Sequence, residues 1–293
     1  MKYLLPILLA VLLGCTQDID LDIPEHNPRI AFTGLIQDSI TTFFVTQSSK
    51  ENFGTYPGLT DAIVTVRDDN GNQWVASPGS SEGYFEFNQP FSGNGQYHVS
   101  IEQEGLPPAK ASTGLPGKVQ IIEAEGQQAS TIDSLDVYQY YSTYFCEVNL
   151  DVQPGPDFQS VLIKPILVYA ELDGRTTTLR PATLKLSQDL PLDYVYIEDG
   201  FILTRKDFEK LNGTLNILFS TYSATKPEND VRILMEVGLL SESYDSFLKS
   251  AIENLNTDIE ILFSEPIPLY SNVEGGYGFF GAIQKDSVVI PVR

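Results

Sequence analysis

The chain has 293 residues, a length that fits one large domain or two modest ones. Its 18 Lys and Arg residues stand against 39 Asp and Glu residues, and the resulting net charge of -21 argues against unaided electrostatic binding to nucleic acid or anionic lipid. A content of 42% hydrophobic and 11% aromatic residues excludes global disorder, and two Cys with two His exclude a disulfide scaffold or a zinc ribbon.

The first residues have the features of a bacterial lipoprotein signal. Lys2 precedes about ten apolar residues, too few to cross a bilayer as a permanent helix but enough for the h-region of a secretory signal. The following Leu12-Leu13-Gly14-Cys15 sequence resembles the lipobox, which implies removal of residues 1–14 and acylation of Cys15. We therefore predict a lipidated Cys15 that anchors the protein in membrane lipid. The alternative is an unmodified Cys after an ordinary signal peptide.

Residues 15–28 are predicted to form an acidic linker. Asp18, Asp20 and Asp22 follow Cys15 closely. Such a stretch resembles the signal that directs Bacteroidota lipoproteins to the outer face of the outer membrane, which implies an extracellular location. The alternative is a plain solvated linker, because acidic residues are common throughout this chain.

Alternating apolar and polar residues predict an antiparallel, Ig-like β-sandwich over residues 29–115. Asn70-Gly71 lies between two such segments and favours a tight hairpin turn. Turn residues recur about every ten positions, as in sandwich domains. The predicted strands are 30–36, 41–46, 62–66, 74–76, 84–87, 96–102 and 109–113, and residues 115–117 are interpreted as a connector.

A second β-sandwich-like domain is predicted over residues 118–293. Thr204 and Asp207 have the spacing of a capping box, which predicts a short helical turn. From Ser241, a candidate N-cap, apolar residues recur at helical spacing and predict an amphipathic helix over about 241–256 that covers a sheet. The predicted strands are 146–152, 161–169, 176–179, 194–203, 215–222, 231–240 and 286–292.

Two glycine motifs are interpreted as loops or turns. Residues 79–83 match G-x-S-x-G, but a strand follows instead of a helix, and the only later His, His98, lies on its own strand without an evident acid partner. Residues 276–281 match G-x-G-x-x-G, but they contain bulky aromatic residues and lead into a predicted strand. We therefore predict no catalytic residue and no cofactor-binding residue.

Other reactive side chains also favour structural interpretations. Cys146 points to the apolar side of its strand, where a buried, inert thiol is expected. His26 and His98 are expected to be solvated. The acidic loop 68–72 fails the EF-hand spacing, so no metal site is predicted, although calcium held by scattered carboxylates stays open. A carboxylate pair of the glycosidase type is neither selected nor excluded among 39 acidic residues.

Two aromatic clusters leave a binding function open. Tyr stacks on sugars and builds interfaces, but it is also common in β-sheets, and we favour the sheet interpretation. The clusters are Tyr138, Tyr140, Tyr141, Tyr144 and Phe145, and Tyr194, Tyr196 and Phe201.

The C-terminal part carries the most specific resemblance to a known family. Residues 264–282 read SEPIPLYSNVEGGYGFFGA, and IDLDIP at 19–24 and D-A-x-V-x-V at 61–66 add to it. The mature chain resembles the DUF4249 lipoproteins of Bacteroidota. These are often encoded beside TonB-dependent receptors, which implies such a receptor as partner; the function of the family is unknown, so no catalytic residue is implied. The signature residues, interpreted as structural, are Ser271, Asn272, Gly275, Gly276, Gly278, Phe279, Phe280 and Gly281.

Within this signature, Asn272 and the glycines are expected to permit tight turns, and Phe279 and Phe280 are expected to enter the core. The leading functional hypothesis is a lipid-anchored, non-catalytic outer-membrane protein that assists a TonB-dependent receptor by binding its loops or its cargo. The second is a stand-alone glycan- or peptide-binding module that uses exposed Tyr residues and Trp74. The third, which only the abundance of carboxylates supports, is a hydrolase.

Overall fold

A computed structural model of the protein describes residues 26–37, 40–49, 56–92, 95–134, 139–170, 175–187, 192, 194–197, 200–224, 227, 229–257 and 268–293. The predicted signal peptide, Cys15 and the linker up to residue 25 lie outside the described residues. The described chain is mainly β, as the sequence predicts, and contains two helices, α1 (Arg205–Glu209) and α2 (Glu242–Thr257).

The strands in chain order are β1 (Ile30–Ile36), β2 (Thr41–Gln47), β3 (Ile63–Asp68), β4 (Gln73–Val75), β5 (Ser77–Pro78), β6 (Tyr84–Phe87), β7 (Gln96–Glu102), β8 (Ala109–Gly114), β9 (Gly117–Ser134), β10 (Gln139–Pro154), β11 (Phe158–Ala170), β12 (Thr176–Leu179), β13 (Thr183–Leu186), β14 (Tyr194–Ile197), β15 (Gly200–Thr204), β16 (Thr214–Ser223), β17 (Asn229–Ser241) and β18 (Tyr277–Pro291).

The first hydrophobic core lies between a four-stranded sheet, β4-β3-β7-β8, and half of a ten-stranded sheet, β18-β1-β2-β6-β5. We call this body the first sandwich. Alternate residues of each strand point inward, which brings Phe side chains of β1, β2 and β6 into the core: Phe32, Phe43, Phe85 and Phe87. The strands predicted at 30–36, 84–87 and 96–102 have these bounds in the structure.

The second core lies between the four-stranded sheet β13-β16-β10-β9 and the other half of the ten-stranded sheet, β14-β15-β11-β17-β18. We call this body the second sandwich. Cys146 and Val148 of β10 and Val237 and Leu239 of β17 are among its fully buried side chains. The predicted alternation along both strands is therefore confirmed.

The two sandwiches share β18. Residues 277–282 pair in parallel with β1, and residues 283–291 pair antiparallel with β17. As a result, Phe280 and Ala282 lie in the first core and Ile290 lies in the second. A simple division at residue 118 does not separate the two cores, because the end of the chain completes the first sandwich.

Helix α2 covers the outer face of the ten-stranded sheet where the sandwiches meet. The Tyr244 amide donates to Ser241 Oγ at 3.4 Å, as expected of an N-cap. Leu248 packs on a small cluster that includes Ile283, and the Phe247 ring stacks on Phe279 with 3.9 Å between centroids. The prediction of a covering helix is confirmed. Among the described residues, neither helix has the length and hydrophobicity that crossing a membrane requires.

Two elements differ from the prediction. The connector assigned to residues 115–117 leads directly into β9, which the sequence analysis missed. The register between β9 and β10 shifts twice, at positions that leave Ile122 and Ala129 as extra residues on β9, and each shift breaks the alternation that marks a strand. The segment 194–203, predicted as one strand, forms the antiparallel strands β14 and β15.

Candidate functional site

A groove of about 670 Å³ lies on the outer face of the sheet β4-β3-β7-β8. It exists because alternate residues of β3, β7 and β8 point inward to the first core, which leaves their polar neighbours outward. The lining residues of the sheet that matter most are Thr65, Arg67, Gln73, His98, Ser100, Glu102, Lys110 and Ser112.

The signature segment forms one wall of this groove. The Glu274 amide donates to Lys110 O at 2.8 Å and the Lys110 amide donates to Glu274 O at 2.9 Å, so the segment extends the sheet beyond β8. Asn272 also lines the groove, and its Nδ2 donates to Ser112 O at 3.0 Å. The family signature therefore shapes the groove directly.

Asn272 acts through its side chain. Its Nδ2 also donates to Phe280 O at 2.9 Å, and its Oδ1 accepts from the Phe280 amide at 2.9 Å. Among the described residues other than Gly, only Asn212 and Asp230 have positive φ, so Asn272 does not use the left-handed backbone conformation that Asn tolerates in some tight turns. The Asn272 side chain pairs with the Phe280 backbone as the backbone of a neighbouring strand would.

Four other signature residues, Gly278, Phe279, Phe280 and Gly281, have packing roles. Phe279 and Phe280 are buried, as expected. Gly278 has φ of 111°, and a Cβ there would overlap the Phe32 carbonyl oxygen. Gly281 lies against Tyr244 of α2, where a Cβ would meet the Tyr244 side chain at 2.8 Å.

Residues 16–288 match the family described as Domain of unknown function (DUF4249). The chain belongs to the DUF4249 family. No curated protein matches it.

Several solved structures are similar to this DUF4249 chain at low identity. The major pilin subunit BcpA of Bacillus cereus is 9% identical, with 90% of this chain and 69% of that chain covered and a TM-score of 0.19. The structure of manganese lipoxygenase of Gaeumannomyces graminis with part of zonadhesin of Komagataella pastoris is 11% identical, with 73% and 89% covered and a TM-score of 0.20. The B domain of a biofilm associated protein is 8% identical, with 88% and 85% covered and a TM-score of 0.18. Such TM-scores establish neither a shared fold nor a shared function.

The Arg, His and Lys side chains of the groove differ in their partners. Arg67 Nε donates to Gln73 Oε1 at 2.8 Å, which orients the guanidinium without neutralising it. His98 Nε2 lies 3.1 Å from Asp69 Oδ1, so this His has an acid partner that the sequence analysis did not identify. Lys110 has no carboxylate partner within 4.0 Å among the described residues.

The hairpin at the end of the groove is held by its own acidic residues. Asp68 Oδ1 accepts from the amides of Asn70 and Asn72 at 3.0 and 2.8 Å. The Asn72 side chain, which donates to Asp68 Oδ2, contributes most to lowering the pKa of Asp68. The pKa of Asp69 is also lowered, first by the Gln96 amide and then by His98. These carboxylates stabilise the hairpin loop through hydrogen bonds. Among the described residues, no group of three side chains that could bind a metal ion occurs.

The two glycine motifs lie in a turn and at a strand start. Residues 79–83 form the turn between β5 and β6, and the Tyr84 amide donates to Ser81 O at 3.1 Å. Residues 276–281 enter β18, so no helix follows them. Both observations agree with the structural interpretation of these motifs.

The Cys146 thiol is fully buried, and burial raises its pKa to about 12. A thiol with this pKa carries almost no thiolate near neutral pH, and the predicted burial of Cys146 is confirmed. His26 is hydrogen-bonded to Ser48, with 3.0 Å between His26 Nε2 and Ser48 Oγ, and thus has a partner as well as solvent.

The aromatic clusters are divided between core and surface. Tyr144 and Phe201 are fully buried, whereas Tyr196 is 52% exposed. Tyr138 lies outside the described residues. Trp74 packs against Phe91 with 5.1 Å between centroids and is partly buried beside the first core, so only part of its ring is open for stacking.

Sequence reasoning missed the groove residues Arg67, Lys110 and Glu274. Lys110 has an outward position on the predicted strand 109–113, which is a signal for it, whereas Arg67 comes directly after the predicted strand 62–66. The pairing of β8 with the segment 272–274 joins residues more than 100 positions apart and leaves no local pattern.

Proposed function

We propose that this DUF4249 chain is a non-catalytic binding protein that is anchored to the outer face of the outer membrane through acylated Cys15 and assists a TonB-dependent receptor. The groove on the first sandwich carries the proposal, because the family signature segment forms its wall through Asn272 and Glu274. The lipobox resemblance supports the anchor, and the family resemblance supports the receptor.

The chemistry of the described side chains supports binding more than catalysis. The thiol of Cys146 is inaccessible and Ser81 lies in a turn. Among the described residues, the His98 side chain hydrogen-bonds to Asp69 and to no hydroxyl, so no paired nucleophile and base is formed there. The groove is open and polar. Such a surface suits an exposed segment of a partner better than a reaction that requires exclusion of water.

Site-specific photocross-linking in the native host tests the proposal. A photoreactive residue replaces Ser112 inside the groove, and a matched one replaces Ile122, which is 67% exposed on the second sandwich. We expect the Ser112 position to capture a TonB-dependent receptor and the Ile122 position not to do so. Loss of capture in a Cys15→Ser variant would support the anchor. Equal yields of receptor from both positions, or none from either, would contradict the proposal.

A stand-alone glycan-binding function is the second candidate. It is favoured by Tyr141 and Tyr222 on the outer face of the second sandwich, whose ring centroids lie 5.0 Å apart, with Tyr222 55% exposed. Aromatic rings of this kind offer a stacking surface for sugars. Binding of the purified protein to a glycan array, and its loss in Tyr222→Ala, would support this function over the receptor partnership.

A further inference from the structure

We infer that the groove binds an extended acidic peptide segment through an anion subsite formed by Arg67, His98 and Lys110. The inference rests on the proposed function, because it assigns a chemistry to the partner segment that occupies the groove. It adds that the recognised groups are carboxylates.

Strand register brings the three cationic or protonatable side chains together. Arg67 lies directly opposite His98, and Lys110 lies directly opposite Ser100, which is two residues after His98 on the same face of β7. Directly opposed Cβ atoms are about 5 Å apart and diagonal ones about 7–8 Å, within reach of Arg and Lys side chains. All three residues line the same groove, with the Ser100 hydroxyl between them.

The charges of Arg67 and Lys110 have no carboxylate partner within 4.0 Å among the described residues, although acidic residues outnumber basic ones twofold. Some basic residues elsewhere in the described chain do pair with acids, as in Arg205–Glu209, Arg232–Asp230 and Lys249–Asp245. Two uncompensated cations in one groove of an acidic protein provide charge complementarity for a ligand carboxylate.

The other charged groups limit the kind of anion. Glu102 and Glu274 also line the groove, and Asp69 contacts His98. A densely charged polyanion such as nucleic acid would meet these carboxylates and the net charge of -21. Separate carboxylates on a peptide can contact Arg67 and Lys110 while they stay away from the acidic side chains of the groove.

A peptide fits the lining better than a glycan. No Phe, Tyr or Trp ring lines the groove among the described residues, so sugar stacking has no platform there. The hydroxyls of Thr65, Ser100 and Ser112 and the Gln73 amide can hydrogen-bond to a peptide backbone. A volume of about 670 Å³ holds a short segment and not a folded domain.

Fluorescence anisotropy with the full mature protein in detergent tests the inference. The probe is a labelled six-residue peptide of alternating Glu and Thr, and its twin has Gln in place of Glu. We expect the Gln twin to bind about tenfold more weakly, and Arg67→Gln and Lys110→Gln each to weaken binding of the Glu peptide about three- to fivefold. The control variant Lys185→Gln removes an exposed cation of the second sandwich and is expected to leave binding unchanged.

Thermal melts of each variant keep folding defects separate from binding defects. Equal binding of the Glu and Gln peptides, or full binding by the Arg67→Gln/Lys110→Gln double variant, would overturn the inference. So would tighter binding of a uronate oligosaccharide than of the Glu peptide. If the double variant still cross-links to the receptor from Ser112 in cells as efficiently as the wild type, the proposed function stands and the acidic-peptide inference fails.

Discussion

The Asn272 side chain pairs with the Phe280 backbone through two hydrogen bonds, both of 2.9 Å. The same amide nitrogen also reaches Ser112 O on β8. One side chain thus joins the edge of the groove-bearing sheet to the strand that both sandwiches share. The signature segment therefore connects the groove to the junction between the sandwiches through hydrogen bonds.

Replacement of Asn272 by Ala is expected to destabilise the protein by about 2–3 kcal/mol, because the amide and carbonyl of Phe280 lose their partners in a partly buried site. Chemical denaturation measures this change. Asn216→Ala, at an outward position on β16, is the matched control and is expected to cost less than about 0.5 kcal/mol. Similar losses in the two variants would show that the paired amide has no special role.

The parallel pairing of β1 and β18 depends on Gly278. Gly278→Ala is expected to prevent native pairing, because the added Cβ overlaps the Phe32 carbonyl oxygen at a backbone φ of 111°. Gly105→Ala is the matched control: its φ is 81°, but a Cβ there meets no atom within 4 Å, so only about 1 kcal/mol of strain is expected. Melting temperatures and soluble yield compare the two, and equal effects would mean that close approach at Gly278 is unimportant.

Local features of this fold were predictable because they depend on residues that are close together in the sequence. The alternation in β7 gave its bounds, and the helical spacing after Ser241 gave α2 to within one residue. The Thr204 and Asp207 spacing gave the cap of α1, where Thr204 Oγ1 accepts from the Asp207 amide at 3.2 Å. Each of these depends on contacts within a few positions.

The groove and the shared strand were not predictable in this way. Residues 277–282 read as a turn-rich glycine segment, yet they form a strand because β1, about 250 residues earlier, supplies the hydrogen-bonding edge. The groove in turn requires β3, β7 and β8 to pair in one register and the segment 272–274 to lie beside Lys110. No period in the sequence encodes such distant pairs.

Substitution of two buried threonines by Val is expected to change the free energy of unfolding in opposite directions. Thr221 Oγ1 has no hydrogen-bond partner among the described atoms, so Thr221→Val removes an unsatisfied hydroxyl and is expected to raise the free energy of unfolding by about 1 kcal/mol. Thr113 Oγ1 lies 3.0 Å from Ser243 Oγ and 3.3 Å from Ser241 Oγ, so Thr113→Val is expected to lower it by about 1–2 kcal/mol. Denaturation midpoints that shift in the same direction would contradict this prediction.

Asp157 is expected to make stability depend on pH. It lies at the junction, where its Oδ2 accepts from the Gly114 amide at 2.9 Å. Burial raises the pKa of the Asp157 carboxyl above its ordinary value and the Glu242 charge adds to the rise, although hydrogen bonds from the Gly114 and Glu242 amides oppose it. The folded protein therefore holds this proton more tightly than the unfolded chain.

It follows that this contribution to the free energy of unfolding is fully present below the ordinary carboxyl pKa and is lost as the pH rises through the raised pKa. Asp157→Asn keeps an oxygen that can accept from Gly114 but cannot ionise, so we expect this variant to retain stability across the interval in which the wild type loses it. Glu242→Gln should reduce the wild-type loss by removing one source of the rise. Denaturation curves at a series of pH values measure both effects, and a constant difference between wild type and Asp157→Asn at every pH would refute the assignment.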